Sequence, residues 1–208
     1  MPKSAEDSKK RMSGEQRKAQ IVTVAMQLFA EEGFKGTTTR EIARRAGISE
    51  AVIFKHFSKK EDLYNAIIDQ CCNDGGGESR LLKLLKQKQG REVFSEVAMF
   101  LITEHQNDST FLKLLTYSAL EKHTLSDIFI KTKAMELIEF LVSHIKSLMD
   151  EGVFRKADHE LAARAFLGMV LHFNIAQELY GLKKTFKRQN SDVVDTFVDI
   201  FFDGMKRR

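Results

Sequence analysis

The chain has 208 residues, 43% of them hydrophobic and 30% charged, which is enough for a buried core and typical of a globular protein. Its longest nearly unbroken apolar run, 165–171, is far shorter than the roughly 18 residues of a membrane span, and the polar N-terminus lacks the apolar stretch of a signal peptide, so we expect a cytoplasmic protein without a membrane partner. Residues 1–60 hold 13 Lys/Arg against 7 Asp/Glu while the rest holds 20 against 22, an imbalance that fits either an end that contacts a polyanion or a solvated basic face.

The pattern of apolar residues predicts an all-α fold. Apolar side chains recur at spacings of three and four, and no proline follows Pro2. Residues 1–12 are predicted to form a disordered basic arm. The first helix is predicted to begin after Ser13, which can form a capping box with Gln16, and to stop at Gly33.

Three shorter helices are predicted next. The second begins at about Thr38, where Glu41 completes a capping box, and stops at Gly47. The third covers 49–56. The segment 58–61, Ser-Lys-Lys-Glu, is a further potential capping box and predicts the start of a fourth helix.

The clearest interruption lies at 73–79, which contains three consecutive glycines. Each costs about 1 kcal/mol in a helix relative to alanine, so this segment predicts a hinge or domain boundary. We therefore divide the chain into an N-terminal unit, 13–72, and a larger helical domain, 73–208, with about nine helices in all. The later helices are predicted at about 79–88, 91–107, 109–121, 124–151, 158–181 and 190–207, with the clearest stops at Asp108-Ser109 and Glu151-Gly152.

The second and third predicted helices have the features of a helix-turn-helix. Gly47 permits a left-handed turn between them, and Ile48 and Ile53 can pack against Ile42 and Ala43. Such a unit places its second helix in the major groove of DNA. Helix pairs joined by a glycine turn also occur in proteins that never contact DNA, so the motif needs support.

Three cations provide that support. Arg40 is predicted in the first turn of the second helix, and Lys59 and Lys60 in the first turn of the fourth. Cations there oppose the helix dipole and cost a few tenths of a kcal/mol. Because helix N-termini are natural phosphate sites, an external polyanion would explain them.

The sequence of residues 36–63, GTTTREIARRAGISEAVIFKHFSKKEDL, resembles the DNA-binding signature of TetR-family regulators. Residues 25–34, AMQLFAEEGF, resemble the first helix of that family, and 151–155 with 158–164 resemble the junction before the eighth helix of many members. The resemblance implies that 13–72 form a DNA-binding domain, a three-helix helix-turn-helix unit with a connecting fourth helix. It also implies that 73–208 form a larger helical domain for effector binding and dimerisation.

The resemblance also implies particular DNA contacts. Thr38 and Thr39 would contact the phosphate backbone, Arg40 a phosphate or a base edge, and His56 and Lys60 would clamp phosphates. The full predicted set is Thr38, Thr39, Arg40, Ser49, Glu50, Ala51, Val52, Phe54, Lys55, His56, Lys59 and Lys60.

The chain departs from the family pattern at three of these positions. Phe54 stands where the family usually has tyrosine, so a phenol-to-phosphate bond is lost, and Ala51 stands where glycine is frequent. Glu50 brings a negative charge near the groove. Its carboxylate could accept a hydrogen bond from cytosine N4, or it could satisfy the positive N-terminus of the third helix, and we favour the second role.

The resemblance further implies that the last two long helices pair with those of a second subunit as a four-helix bundle. Such a homodimer would present two recognition helices about 34–36 Å apart to a near-palindromic DNA operator. The predicted interface residues are Phe166, Met169, Val170, Phe197 and Phe201.

The resemblance also implies that the C-terminal region binds an effector, which we expect to be small and apolar or amphipathic. The chain contains 16 phenylalanines and 8 methionines, which suit varied apolar ligands, although plain core packing gives the same composition. The candidate ligand contacts are Met99, Phe100, Thr103, Phe111, Met135, Phe140, Phe173 and Gln177.

The sequence offers no candidate for catalysis, a metal or a cofactor. The six histidines form no metal-binding spacing, and the adjacent Cys71 and Cys72 suit neither a disulfide framework nor a zinc site. An all-α enzyme would need a constellation that is absent. The first hypothesis is therefore a ligand-responsive repressor that its effector releases from the operator. The alternative is a DNA-bound scaffold or co-activator whose body binds a protein.

Overall fold

The structure, a computed structural model, describes residues 12–72, 80–122 and 124–207. Nearly all of the predicted basic arm and the whole glycine segment 73–79 lie outside these ranges. Within them the fold is all-α, as predicted, and the only β pairing is an isolated antiparallel bridge between Phe154 and Lys206. The helices are α1 (Gly14–Gly36), α2 (Thr39–Ala46), α3 (Glu50–His56), α4 (Asp62–Cys72), α5 (Arg80–Leu85), α6 (Arg91–Asn107), α7 (Thr110–Leu120), α8 (Thr124–Phe129), α9 (Met135–Asp150), α10 (His159–Glu178) and α11 (Asn190–Met205).

Capping residues explain where the first helices begin. Ser13 and Gln16 form the predicted reciprocal box, with the Gln16 N–H donating to Ser13 Oγ at 3.2 Å and the Ser13 N–H donating to Gln16 Oε1 at 2.9 Å. Thr38 Oγ1 accepts from the Glu41 N–H at 3.1 Å. The Glu41 carboxylate binds Arg44 instead of returning to Thr38, so the second box is half formed.

The predicted start of the fourth helix at 58–61 is wrong. α4 begins at Asp62, whose Oδ2 accepts the backbone N–H groups of Ser58 at 3.0 Å and Lys59 at 3.2 Å. A carboxylate therefore closes the turn from its C-terminal side. Lys59 and Lys60 lie in this turn, before α4, so of the three cations only Arg40 lies in the first turn of a helix and opposes its dipole.

The later helices follow the prediction with small differences. The stops at Asp108-Ser109 and Glu151-Gly152 are confirmed, and Gly152 has a φ of +76°. The helix predicted over 124–151 consists of α8, a π-helical turn at Ile130–Ala134, and α9.

Among the residues that the structure describes, buried apolar side chains form two clusters. The N-terminal core is built by α1–α4 and is completed by residues of α7 and α8, including Leu114 and Leu125. The body core is built by α5, α6, α9, α10 and α11, with Phe94 ringed by Phe154, Phe166 and Phe201. Two helices that follow the glycine segment in sequence thus pack with the helix-turn-helix unit. We use "body" for α5–α11.

The described helices include none that could cross a membrane, because none combines sufficient length with sufficient apolar character.

Candidate nucleic-acid interface and its junction with the body

α2, Gly47 and α3 form the predicted helix-turn-helix. Gly47 adopts the left-handed conformation at φ 67° and ψ 35°, and its N–H caps α2. Ile42, Ala43 and Ile53 are buried in the N-terminal core, with Ile48 packed against it. The apolar faces of both helices are thus buried in the N-terminal core, which leaves the opposite face of α3 exposed.

A side-chain hydrogen bond joins the first turns of the two helices. The Thr39 hydroxyl donates to the Glu50 carboxylate, and Ser49 makes no side-chain cap. Glu50, in the first turn of α3, is therefore also held by Thr39 within the protein. Thr38 accepts from a backbone N–H, so its own O–H is free to donate to a phosphate oxygen.

The exposed surface of this unit contains most of the predicted DNA contacts. Arg40 lies in the first turn of α2, while Lys55 and Phe54, whose side chain is 51% exposed, lie on the outer face of α3. The exposed members are Thr38, Arg40, Ser49, Ala51, Phe54, Lys55 and Lys59, and the partly buried members are Thr39, Glu50, Val52, His56 and Lys60.

Lys60 is engaged inside the protein. Its Nζ donates to the carbonyl oxygens of Phe34 at 2.6 Å and Thr37 at 2.7 Å, and it lies 3.8 Å from the centroid of the Phe34 ring. Burial lowers the pKa of this ammonium group. Two of its three N–H donors hold the segment that leads from α1 into α2, a role that the sequence did not reveal.

The same segment is contacted from the body. Glu121, directly after α7, accepts the Phe34 N–H on Oε2 at 3.1 Å. Its Oε1 fills the space beside Gly33, where a Cβ would lie 2.6 Å away, and Gly33 itself has a φ of +74°. The predicted stop of the first helix at Gly33 is thus a kink that the body helix α7 contacts directly.

Aromatic packing surrounds this kink. Phe34 stacks on Tyr64 of α4 at 4.7 Å between centroids, and Phe29 lies 5.1 Å from the same ring. Tyr64 is 2% exposed, and burial raises its pKa well above the ordinary value. Residues 33–37 are therefore linked on one side to the body through Glu121 and on the other to the turn before α4 through Lys60. No sequence signal connects Glu121 with Phe34, which are 87 positions apart.

The predicted dimer residues lie mainly inside the protomer. Phe166 and Val170 have no exposed surface and Phe201 is 7% exposed, all within the body core, whereas Met169 and Phe197 are partly buried. These residues mark the inward faces of α10 and α11. The large apolar residues exposed on the same helices are Leu161, Leu171 and Ile200.

The eight predicted ligand residues do not all pack against the same core. Met99, Phe100, Phe140 and Phe173 are partly buried against the body core. Phe111 packs against the N-terminal core, where its ring centroid lies 5.2 Å from that of Phe129. Met135 is 37% exposed, Thr103 is partly buried, and Gln177 is buried with its Oε1 lacking a hydrogen-bond partner.

The described residues contain no group of three or more His, Cys, Asp or Glu side chains arranged to hold a metal ion.

Comparison with known proteins gives two family matches. Residues 21–67 match the family described as bacterial regulatory proteins, tetR family, and residues 92–204 match the C-terminal domain of AefR-like transcriptional repressors. The second match alone covers more than half of the chain.

Individual relatives agree with these matches. The HTH-type transcriptional regulator YvkB of Bacillus subtilis is 26% identical over 160 residues, which cover 74% of this chain and 79% of the relative. The ketosteroid transcriptional regulator KstR2 of Mycobacterium tuberculosis superimposes with a TM-score of 0.68 at 17% identity over 95% of this chain and all of that one. AibR, solved with isovaleryl coenzyme A and operator DNA, gives a TM-score of 0.65 at 21% identity over 89% of this chain and 98% of AibR. The two structural likenesses show the shared fold.

Proposed function

The chain belongs to the TetR family of DNA-binding transcriptional regulators, which are not enzymes, and we propose that it is a repressor that a small apolar or amphipathic effector releases from a near-palindromic operator. The observation that carries the proposal is the junction at residues 33–37. There the backbone that leads into the helix-turn-helix is hydrogen-bonded to Glu121 of the body.

The DNA-binding face is proposed to be the exposed surface of α2 and α3. The free O–H of Thr38 and the charges of Arg40, Lys55 and Lys59 would bind phosphates and position the unit. Arg40 would also reach a base edge. Since Phe54 lacks the phenol hydroxyl, its exposed ring would make apolar contact instead.

Coupling between effector and DNA follows from shared packing. Leu114 of α7 and Leu125 of α8 belong to the same core as Ile42 and Ile53 of the helix-turn-helix. A movement of α7 therefore changes the surroundings of both the kink at Gly33 and the helices α2 and α3. The effector must bind one of the two resulting states better than the other to shift their populations.

The dimer is proposed to form through the exposed faces of α10 and α11. Leu161 is 61% exposed, Leu171 is 37% exposed and Ile200 is 61% exposed. Burying these side chains against a second copy would remove apolar surface from water. Two-fold symmetry would then place the two copies of α3 about one DNA turn apart.

The effector is proposed to bind in the body against Met99, Phe100, Phe140 and Phe173, which are partly buried at the edge of its core. The unpartnered Oε1 of Gln177 could accept a hydrogen bond from the ligand. Because AibR was solved with isovaleryl coenzyme A, short acyl coenzyme A thioesters are the first compounds to test.

The test has two steps. Thioesters that raise the melting temperature of the protein are selected first, and operator affinity is then measured with and without each of them by fluorescence anisotropy. The proposal predicts that at least one ligand weakens operator binding and that Phe173→Ala reduces this response. Operator affinity that stays the same with every ligand shown to bind the body would overturn it.

A further inference from the structure

A cavity of about 480 Å³ opens between α1, α7 and the C-terminal end of α10. Its volume falls within the range of small-molecule sites. Ala30 of α1 lines one side, and Tyr117 of α7 and Leu179 line the other. A molecule bound here would contact both α1 of the N-terminal core and the body. This junction cavity is lined by none of the eight residues predicted to contact the effector.

The charge of the cavity is set by two carboxylates and one ammonium group. Glu31 and Glu178 line it together with Lys113. Glu31 is half exposed and pairs with Arg45 at 2.8 Å. Glu178 differs because only 3% of its side chain is exposed.

Glu178 has an incompletely satisfied carboxylate. Its Oε2 accepts from Lys183, while its Oε1 is buried and has no hydrogen-bond partner. A buried acceptor without a donor is unfavourable, and more so when it carries charge.

The position of Glu178 in the helix adds to this imbalance. It is the last residue of α10, where the helix dipole already places negative partial charge and where a cation is the favoured neighbour. The exposed Lys183 supplies one positive charge. A second hydrogen-bond donor carrying positive charge would satisfy Oε1 and complement the helix end.

We propose that the junction cavity is a binding site for a small molecule with a protonated amine and an apolar or aromatic body. The amine donates to Glu178, and the body packs against Tyr117, Leu179 and Ala30. This site is separate from the proposed effector site in the body, and it requires neither DNA binding nor repression.

Calorimetric titration of the full chain with phenethylamine, in the absence of DNA, tests the proposal. The amine should bind wild type, while 3-phenylpropionate, of similar shape and opposite charge, should not. Glu178→Gln should weaken amine binding by about tenfold or more. Glu160→Gln, an exposed carboxylate in the first turn of α10, is the matched control and should leave it within about twofold of wild type.

Two further variants separate binding from folding. Lys183→Ala leaves the carboxylate but removes its partner, so the amine should bind at least as tightly as to wild type. Tyr117→Leu should weaken binding by removing the aromatic wall. Absence of amine binding to wild type, equal affinity of Glu178→Gln, or loss of binding in Lys183→Ala with its melting temperature unchanged would each overturn the proposal.

Discussion

Lys60 and Lys59 are adjacent lysines with different surroundings, and replacing each by alanine gives a sharp prediction. Lys60→Ala removes two hydrogen bonds of 2.6 and 2.7 Å and a contact with the Phe34 ring. Hydrogen bonds to charged groups contribute about 1.5–3 kcal/mol each and a cation–π contact about 0.5–2 kcal/mol. Because water can reach the partly buried site and replace some of these contacts, we expect a loss of about 2–3 kcal/mol in the free energy of unfolding.

Lys59 is the matched control. It is exposed, and its side chain makes no hydrogen bond or ion pair with any other described residue. Lys59→Ala should change the free energy of unfolding by less than about 0.5 kcal/mol. If Lys59 contacts a phosphate, the variant should lower the salt dependence of DNA binding by about one unit.

Thermal unfolding and salt titration of DNA binding distinguish these roles. For a chain of this length the predicted destabilisation of Lys60→Ala corresponds to a fall of roughly 4–12 °C in melting temperature. Its salt slope should change by less than about half a unit, because most of its donors are already used. An unchanged melting temperature with a full unit lost from the slope would show that Lys60 is a phosphate clamp and would refute our reasoning.

Three other predictions concern the kink, the dimer and the buried tyrosine. Gly33→Ala should lower the free energy of unfolding by about 1–3 kcal/mol, because the φ of residue 33 is +74° and the new Cβ would meet Glu121. Gly36→Ala, whose Cβ would have its nearest neighbouring atom at 3.4 Å, should leave the free energy of unfolding unchanged. Chemical denaturation measures both variants. Ile200→Lys should give monomers in analytical ultracentrifugation, while Leu120→Lys, at a site 76% exposed on α7, should leave dimers intact. Burial raises the pKa of Tyr64 above its ordinary 10.0. The stabilisation from the protonated phenol is therefore fully present below pH 10.0 and is lost as the pH rises from 10.0 toward the raised pKa. Tyr64→Phe should flatten the decline in stability above pH 10.0 in alkaline denaturation.

Local sequence signals predicted the helix-turn-helix well. The Ser13 box, the cap at Thr38 and the left-handed turn at Gly47 depend on neighbouring residues, and all three are present. The segment 58–61 misled because Ser-x-x-Glu also fits a turn, and the structure uses the carboxylate of Asp62 to close that turn from the other side.

Contacts between distant segments were not predictable in the same way. A helix with apolar residues on a wide surface has one face for its own core and one for a partner, and periodicity does not distinguish them. The sequence therefore predicts Phe166 and Val170 at the dimer interface, whereas both are fully buried in the protomer. Residue type likewise placed Phe111 with Phe140, which lie in different cores. The Glu121 contact with Phe34 depends on how α7 packs on α1, and no local pattern encodes it.

The central claim is that this chain reads a two-fold operator through α2 and α3, and selection from random duplex DNA tests it most directly. The wild-type protein should enrich a near-palindrome with half-sites one DNA turn apart. Arg40→Ala should relax preference at one position in each half-site by about 1–3 kcal/mol. Failure to enrich any sequence, or enrichment of an asymmetric sequence that Arg40→Ala reads equally well, would contradict the account.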